Sequence, residues 1–337
     1  MPVLPELVRS APKAELHVHI EGTLEPELAF ALAARNAVDL GWSDAAALRQ
    51  AYAFGDLQSF LDLYYACTRV LCTAADFRDL MLAYLARAAA DGVVYAEIFF
   101  DPQVHAERGV ALGTVLDGLC AGLELGRSVH GVEGTLILCF LRHLSEAEAF
   151  ATLAEARPHL DRIAGFGLDS GERGNPPARF ERVFAACRAL GKPVVAHAGE
   201  EGPAEYVSDA LDRLGALRID HGVRAIDDPL LVQRLVRHGI PLTVCPLSNV
   251  RLQVTPELHR NPLQALLDAG VAVTLNSDDP AYFGGYLNAN LEAVHQAFDW
   301  PLATWQQVLG NAFRASFRPA HWQQARLEHL ARHFARA

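Results

Sequence analysis

Lysine is almost missing from this chain: Lys13 and Lys192 are the only two in 337 residues. Positive charge rests on isolated arginines, and the formal net charge is −11. An acidic chain without a basic patch repels phosphate backbones, which excludes nucleic acid as an expected partner. Paired cysteines are missing too. Cys67, Cys72, Cys120, Cys139, Cys187 and Cys245 form no C-x-x-C pair, and most lie in apolar runs. Buried thiols in a reduced, cytoplasmic setting are expected, not a disulfide scaffold. The start of the chain carries no basic segment followed by an apolar run, so no secretory signal is read there. No uninterrupted stretch of about 18 apolar residues suggests a membrane span. No G-x-G-x-x-G follows the first strand-like run, which argues against a dinucleotide-binding sheet.

What is present is a repeated alternation. Eight short runs read as strands, at residues 14–18, 93–100, 134–141, 163–168, 193–198, 217–220, 241–245 and 271–275. Helical patterns at 112–129, 146–157, 178–190, 204–214, 229–238 and 262–269 separate them. Strand followed by helix, repeated, argues for a parallel sheet, and eight units favour closure. The expected fold is α/β, a (β/α)₈ barrel forming one domain over residues 1–337. Residues 26–90 are too long for one crossover and are expected as a helical insertion after strand one, covering the barrel mouth. The segment from Leu302 onward reads as extra helices packed outside. With 51% hydrophobic residues, the chain can bury a core of that size.

Residues able to bind metal gather at the ends of these runs. His17 and His19 are two apart on strand one, so both point to one face. His197 ends strand five, His221 follows strand six, and Asp278-Asp279 follow strand eight. A His-x-His pair alone is explained equally well by hydrogen bonding in a polar core. Five such residues at strand ends are better explained by a divalent ion, and neutral imidazole suits zinc. A second, bridged ion would call for a carboxylated lysine at the end of a middle strand. Lys13 begins strand one and Lys192 precedes strand five, so one metal per chain is expected. Iron(II), cobalt or manganese suit the same donors. Glu200, three residues after His197, is placed to act as acid or base beside such an ion, or simply to complement a helix dipole. His221 reads as ligand or as base. Asp278 and Asp279 cannot both point inward from a regular strand, so one is expected to face metal and the other substrate.

Six segments together resemble the adenosine/AMP deaminase family. They are Lys-Ala-Glu-Leu-His-Val-His-Ile-Glu-Gly (13–22), Gly-Leu-Asp-Ser-Gly-Glu (167–172), His-Ala-Gly-Glu (197–200), Ile-Asp-His-Gly (219–222), Cys-Pro-Leu-Ser-Asn (245–249) and Asn-Ser-Asp-Asp-Pro (276–280). The resemblance implies zinc on His17, His19, His197 and Asp278. It implies that Glu200 gives a proton to purine N1 and that His221 orients or deprotonates the zinc-bound water. It also implies that Asp279 meets N7 and that the Gly171 amide reaches N3. The cytidine-deaminase signature, H-x-E with P-C-x-x-C, is absent.

Within the resemblance, Glu21 stands where the nucleoside-specific branch has Asp. Its longer carboxylate is expected on the N9 side, where a sugar would lie. With the segments around Phe99-Phe100-Asp101-Pro102 and Ser277–Tyr286, this favours the branch acting on free adenine, giving hypoxanthine and ammonia. Adenosine or another N9- or N6-substituted adenine is the alternative substrate. A purine-binding protein without turnover and an amide or phosphoester hydrolase are the competing classes. The expected partner is a small purine.

Overall fold

The computed structural model describes residues 2–335; residues 1, 336 and 337 lie outside the described residues. Eight parallel strands run in chain order: β1 (Lys13–His19), β2 (Val93–Phe100), β3 (Glu133–Leu141), β4 (Gly165–Asp169), β5 (Val195–Ala198), β6 (Arg218–His221), β7 (Leu242–Val244) and β8 (Val273–Leu275). β1 to β4 form one four-stranded sheet and β5 to β8 another, each in sequential order. Single bridges join the two, Phe166 to Val194 and Val18 to Asp278, so the sheets close into a barrel. The strand runs are rich in β-branched and aromatic residues, and their near-continuous burial is that of parallel strands covered on both faces.

Most expected element positions hold within a few residues. The fourth strand sits two residues later than the sequence suggests, which places Asp169 at its carboxyl end. The helix expected over 178–190 is a tight turn, Pro177–Phe180, followed by a helix at Glu181–Ala189. Pro176 and Pro177 start that turn, and proline supplies no amide for a longer helix.

Between β1 and β2 the chain inserts four helices, Pro26–Asn36, Ala45–Gln50, Leu57–Thr68 and Ala74–Ala90. Asp56 and Ser59 form a reciprocal cap that starts the third. The fourth lies close against the helix Leu112–His130. A Cβ on Gly118 would come within 2.3 Å of the Ala74 carbonyl, and one on Gly126 within 2.2 Å of Leu85 Cδ1. Gly118, Gly122 and Gly126 recur every four residues and leave that groove open.

The C-terminal helices do more than pack outside. The helix Leu302–Ala315 lies against β1 and β8. Phe317 then packs on an apolar layer inside the barrel made by Phe99, Ile137, Cys139 and Val195. Beside it, buried Arg218 donates to Glu97 at 2.6 Å and to the Leu16 carbonyl at 3.1 Å. Glu97 also accepts from the Phe317 amide at 2.6 Å. Removing one partner of a buried ion pair leaves the other uncompensated, at a cost of about 3–5 kcal/mol. Glu97→Leu should therefore lower stability by about that amount, read as a fall in the urea midpoint. An unchanged midpoint would show that the pair adds nothing to the fold.

Candidate active site

The carboxyl ends of the strands deliver the polar side chains to one place. His17 and His19 project together from β1, His197 from β5 and His221 from the last position of β6. Asp278 lies just past β8. His19 Nε2 is 3.2 Å from His197 Nε2 and 3.5 Å from Asp278 Oδ1. His17 Nε2 is 3.1 Å from the same Asp278 oxygen. His221 joins His17, His197 and Asp278 in a second grouping whose donor atoms lie within 4.8 Å of one another.

Surrounding groups fix which ring nitrogens face inward. His197 Nδ1 is 3.1 Å from the Leu168 carbonyl, which can only accept, so that nitrogen carries the proton. Thr243 gives its hydroxyl proton to Asp220 at 2.8 Å, and its oxygen receives His17 Nδ1–H at 2.9 Å. Both Nε2 atoms are thereby left as bare lone pairs. Burial pushes His19 and His221 down to about 3 and His197 well below its ordinary value, so these rings are neutral. Burial raises the Asp278 carboxyl, but His17, His221 and His19 outweigh it and hold it well below the usual range. The lone pairs of His17 and His197, His19 Nε2 and the Asp278 carboxylate therefore converge at 3.1–3.5 Å. A tetrahedral ion with bonds of about 2.0–2.1 Å spaces its donors by about 3.4 Å, so the residues fit a divalent metal. Behind the rings, Thr243 with Asp220 and the Leu168 carbonyl hold the donors in orientation, as such sites require.

Backbone strain is concentrated here. His221 and Asp278 have φ of 61° and 65°, a left-handed conformation that non-glycine residues rarely adopt. At Asp278 the turn breaks strand alternation. That is how both Asp278 and Asp279 face the same cavity, which a regular strand forbids.

Glu200 is positioned by another carboxylate. Glu172 accepts from four successive amides, Gly199 at 2.7 Å, Glu200 at 3.0 Å, Glu201 at 2.7 Å and Gly202 at 2.7 Å. A Cβ on Gly202 would fall 2.7 Å from Glu172 Oε1, so only glycine fits that cradle. The Glu200 carboxyl enters the cavity with Oε2 3.6 Å from His221 Nε2. Burial, then Asp278 and Glu172, raises it well above the carboxylate range, so it is a neutral acid. Asp279 is raised likewise, by burial and then by Asp278.

The cavity wall is apolar on one side. Leu57, Phe60, Leu61, Tyr64 and Tyr65 line it from the insertion, together with Leu252. Two acids missed by the sequence reading as site residues, Asp101 and Asp169, line it too. Each sits at the carboxyl end of a strand inside a segment already singled out, and that position was the available signal.

Two of the expected substrate contacts stand outside the lining of this cavity. Glu21 is absent from the cavity lining. The chain leaves β1 and enters a tight turn at Glu21–Thr23, which takes Glu21 out of strand alternation. Its Oε1 accepts from His105 Nε2 at 2.8 Å and from the Asp101 amide at 3.2 Å. Gly171 lines an adjoining cavity, with Ser170, Arg173 and Asn175, that shares Leu57, Leu61, Tyr65 and Ser170 with the first. The lysines stand apart from the site: Lys13 donates to the carbonyls of Arg9, Ala11 and Asp91, and Lys192 to those of Leu160 and Ile163.

A closed barrel whose strand ends bring buried imidazoles and carboxyls together in one cavity defines a metal-dependent hydrolase site. The family model for adenosine deaminase matches residues 12–333, and the chain belongs to that family. Among curated proteins, the chain is 61% identical over 317 residues to adenine deaminase of Cupriavidus necator, covering 94% of this chain and 90% of that one. It is 60% identical over 306 residues to adenine deaminase of Streptomyces coelicolor, covering 91% and 90%. Among solved structures, adenine deaminase from Arthrobacter aurescens superposes with a TM-score of 0.95 at 48% identity, covering 97% and 100%. A zinc-bound amidohydrolase from Burkholderia ambifaria superposes at 0.90 with 26% identity, covering 100% and 97%.

The donor geometry predicts a pattern of metal retention. His17→Ala, His19→Ala and His197→Ala should each purify with little metal, since each removes one nitrogen from a small donor set. Asp278→Asn should weaken retention, because a neutral amide is a poor ligand, whereas Asp279→Asn should keep the ion. Elemental analysis decides: a full complement in a histidine variant rejects that residue as ligand. A loss in Asp279→Asn with retention in Asp278→Asn reverses the assignment.

Proposed function

We propose that this chain hydrolyses adenine to hypoxanthine and ammonia, at one zinc ion held by His17, His19, His197 and Asp278. The observation that carries the chemistry is the buried carboxyl of Glu200, which enters the cavity beside the converging donors. The choice of adenine is supported by the high identity to adenine deaminases over nearly the whole chain. Such a reaction serves salvage of free purine bases.

When bound, the ion supplies a nucleophile at neutral pH by bringing the pKa of its water to about 7. The protein's own groups do the rest. Glu200 gives its proton to purine N1, which draws electrons from C6 and makes that carbon electrophilic. Its proton survives at neutral pH because burial and the neighbouring carboxylates oppose ionisation.

His221 is held by a relay of amides. Asn261 donates to Asn249 Oδ1 at 3.2 Å, which turns the Asn249 amide nitrogen toward His221 Nδ1 at 3.4 Å. The His221 proton therefore sits on Nε2, between Glu200 Oε2 at 3.6 Å and Asp278 Oδ2 at 3.8 Å. In that tautomer the ring donates, so it orients the attacking oxygen, and Asp278 Oδ2 is the free acceptor for the proton that oxygen gives up. That proton passes to the amino nitrogen, which leaves as ammonia, and the second hydrogen of the attacking water returns to Glu200 as the C6 oxygen becomes a carbonyl, while N1 keeps the proton it received. Asp279, neutral at its position, donates to N7. The insertion and Leu252 close an apolar wall over the ring and exclude bulk water.

Two measurements test the reading. Ammonia release from adenine and from adenosine should differ strongly in favour of adenine, and comparable rates would leave only the family-level activity. Glu200→Gln should retain its metal and lose about 10²–10⁴-fold in turnover, since the amide keeps the size and has no acidic proton to give. Turnover near that of the unmodified enzyme would remove Glu200 from the mechanism.

A further inference from the structure

Asp101 is one of two carboxyls in the cavity, with Asp169, that the chemistry above leaves without work. It stands immediately after β2, it is 3% exposed, and it lines the cavity together with Glu200, Asp278 and Asp279. One oxygen, Oδ2, accepts from the Tyr64 hydroxyl at 3.3 Å. The other, Oδ1, has no hydrogen-bond donor among the described residues. A buried acceptor left unpaired costs free energy unless a ligand supplies the donor.

The position of Asp101 is fixed from behind. Its amide donates to Glu21 Oε1 at 3.2 Å, and His105 Nε2 donates to the same oxygen at 2.8 Å. Arg108 Nη2 reaches His105 Nδ1 at 2.6 Å, which keeps the His105 proton on the Glu21 side. Asp169, close beside Asp101 and His19, is equally short of donors.

The perimeter of free adenine offers the missing donor. Its acceptors are N1, N3 and N7, and its donors are the amino group and one hydrogen on the five-membered ring. With C6 at the metal and N1 at Glu200, adenine in the N9–H tautomer that it favours in water turns N7 toward Asp279 and its ring hydrogen to the opposite side. We propose that Asp101 Oδ1 accepts this N9–H and that the contact sets free adenine apart from its nucleosides. The proposal rests on adenine being the substrate. A nucleoside has carbon in place of the N9 hydrogen. It would leave the carboxyl buried and unpaired and press a sugar against it. A site built to hydrogen-bond a polar group rejects the analogue lacking it more strongly than an apolar pocket can.

The test compares kcat/KM for adenine and 9-methyladenine, which differs only by exchanging that hydrogen for a methyl group. It uses the unmodified metal-loaded enzyme and Asp101→Ala, with metal content measured in both. The unmodified enzyme should prefer adenine by about 10²-fold or more. Asp101→Ala should lose about 10²-fold on adenine, change by less than about 3-fold on 9-methyladenine, and keep its metal. An equal fall on both substrates with metal retained would make Asp101 a structural residue and overturn the proposal. Should the variant not fold, competition against adenine turnover on the unmodified enzyme decides. Purine should inhibit at least about 10-fold more tightly than 9-methylpurine, and equal inhibition overturns the proposal. If the unmodified enzyme does not turn over adenine at all, the substrate reading itself fails, a result distinct from any behaviour of Asp101.

Discussion

The seam between β1 and β8 is the interaction on which the rest of this structure depends. The His19 amide donates to the Asp278 carbonyl at 2.9 Å, and the Asp278 amide donates to the His17 carbonyl at 3.1 Å. Three converging donors thus share one short backbone ladder, though about 260 residues separate its two sides. Neighbours lock the register. Asn276 Oδ1 accepts from the Leu16 amide at 2.8 Å, and Glu15 Oε1 accepts from the Ser277 hydroxyl at 2.6 Å. Tyr84, from the insertion, donates to the other Glu15 oxygen at 2.7 Å. Closing the barrel and assembling the donors are therefore one event. The left-handed turn at Asp278 is tolerated because hydrogen bonds on both sides of it over-determine the backbone.

Burial then sorts the carboxyls into roles. In water Asp278, Asp279 and Glu200 would behave alike. Here Asp278 is held well below the usual range among the imidazoles, while burial and the Asp278 charge push Asp279 and Glu200 well above it. Environments that push like groups apart are how one site supplies both a ligand and acids at the same pH. Absence of lysine near the mouth has a use in this scheme. A mobile ammonium there would pair with these carboxylates and return them to the ionised state.

Much of this was legible in the sequence. Strand positions could be read because parallel strands buried on both faces are continuous apolar runs, and the histidines because they end those runs. Period-2 alternation placed His17 and His19 together correctly. The rule ends at the turn Glu21–Thr23, so the place of Glu21, expected only from the resemblance, had no support from alternation. Asp101 and Asp169 escaped for a different reason. A single Asp after a strand is ordinary in sequence, and only the fold shows that two of them meet beside His19. Glu172 is a similar case: its four amide contacts belong to a loop about thirty residues further on. The role of Phe317 as a plug at the barrel's apolar layer has no local signature either, because it depends on where the final helices dock.

The insertion shows how local pattern and distant function join. Leu57, Phe60, Leu61, Tyr64 and Tyr65 follow the i, i+3, i+4, i+7, i+8 spacing of one helical face. In an ordinary surface helix that stripe would meet a core. Here it meets the cavity, so the face that holds the helix down also forms the wall over a bound ring. Tyr64 belongs to both functions at once, its ring packed against Phe60 and its hydroxyl on Asp101. Glu21 grips the same aspartate from the opposite side through its amide. The extra methylene that distinguishes Glu21 from an aspartate is spent on reaching both His105 and that amide. A shorter acid at this position cannot span the two without moving the turn. On the proposal made for Asp101, residue 21 acts on substrate choice through that aspartate, without direct contact with the ring.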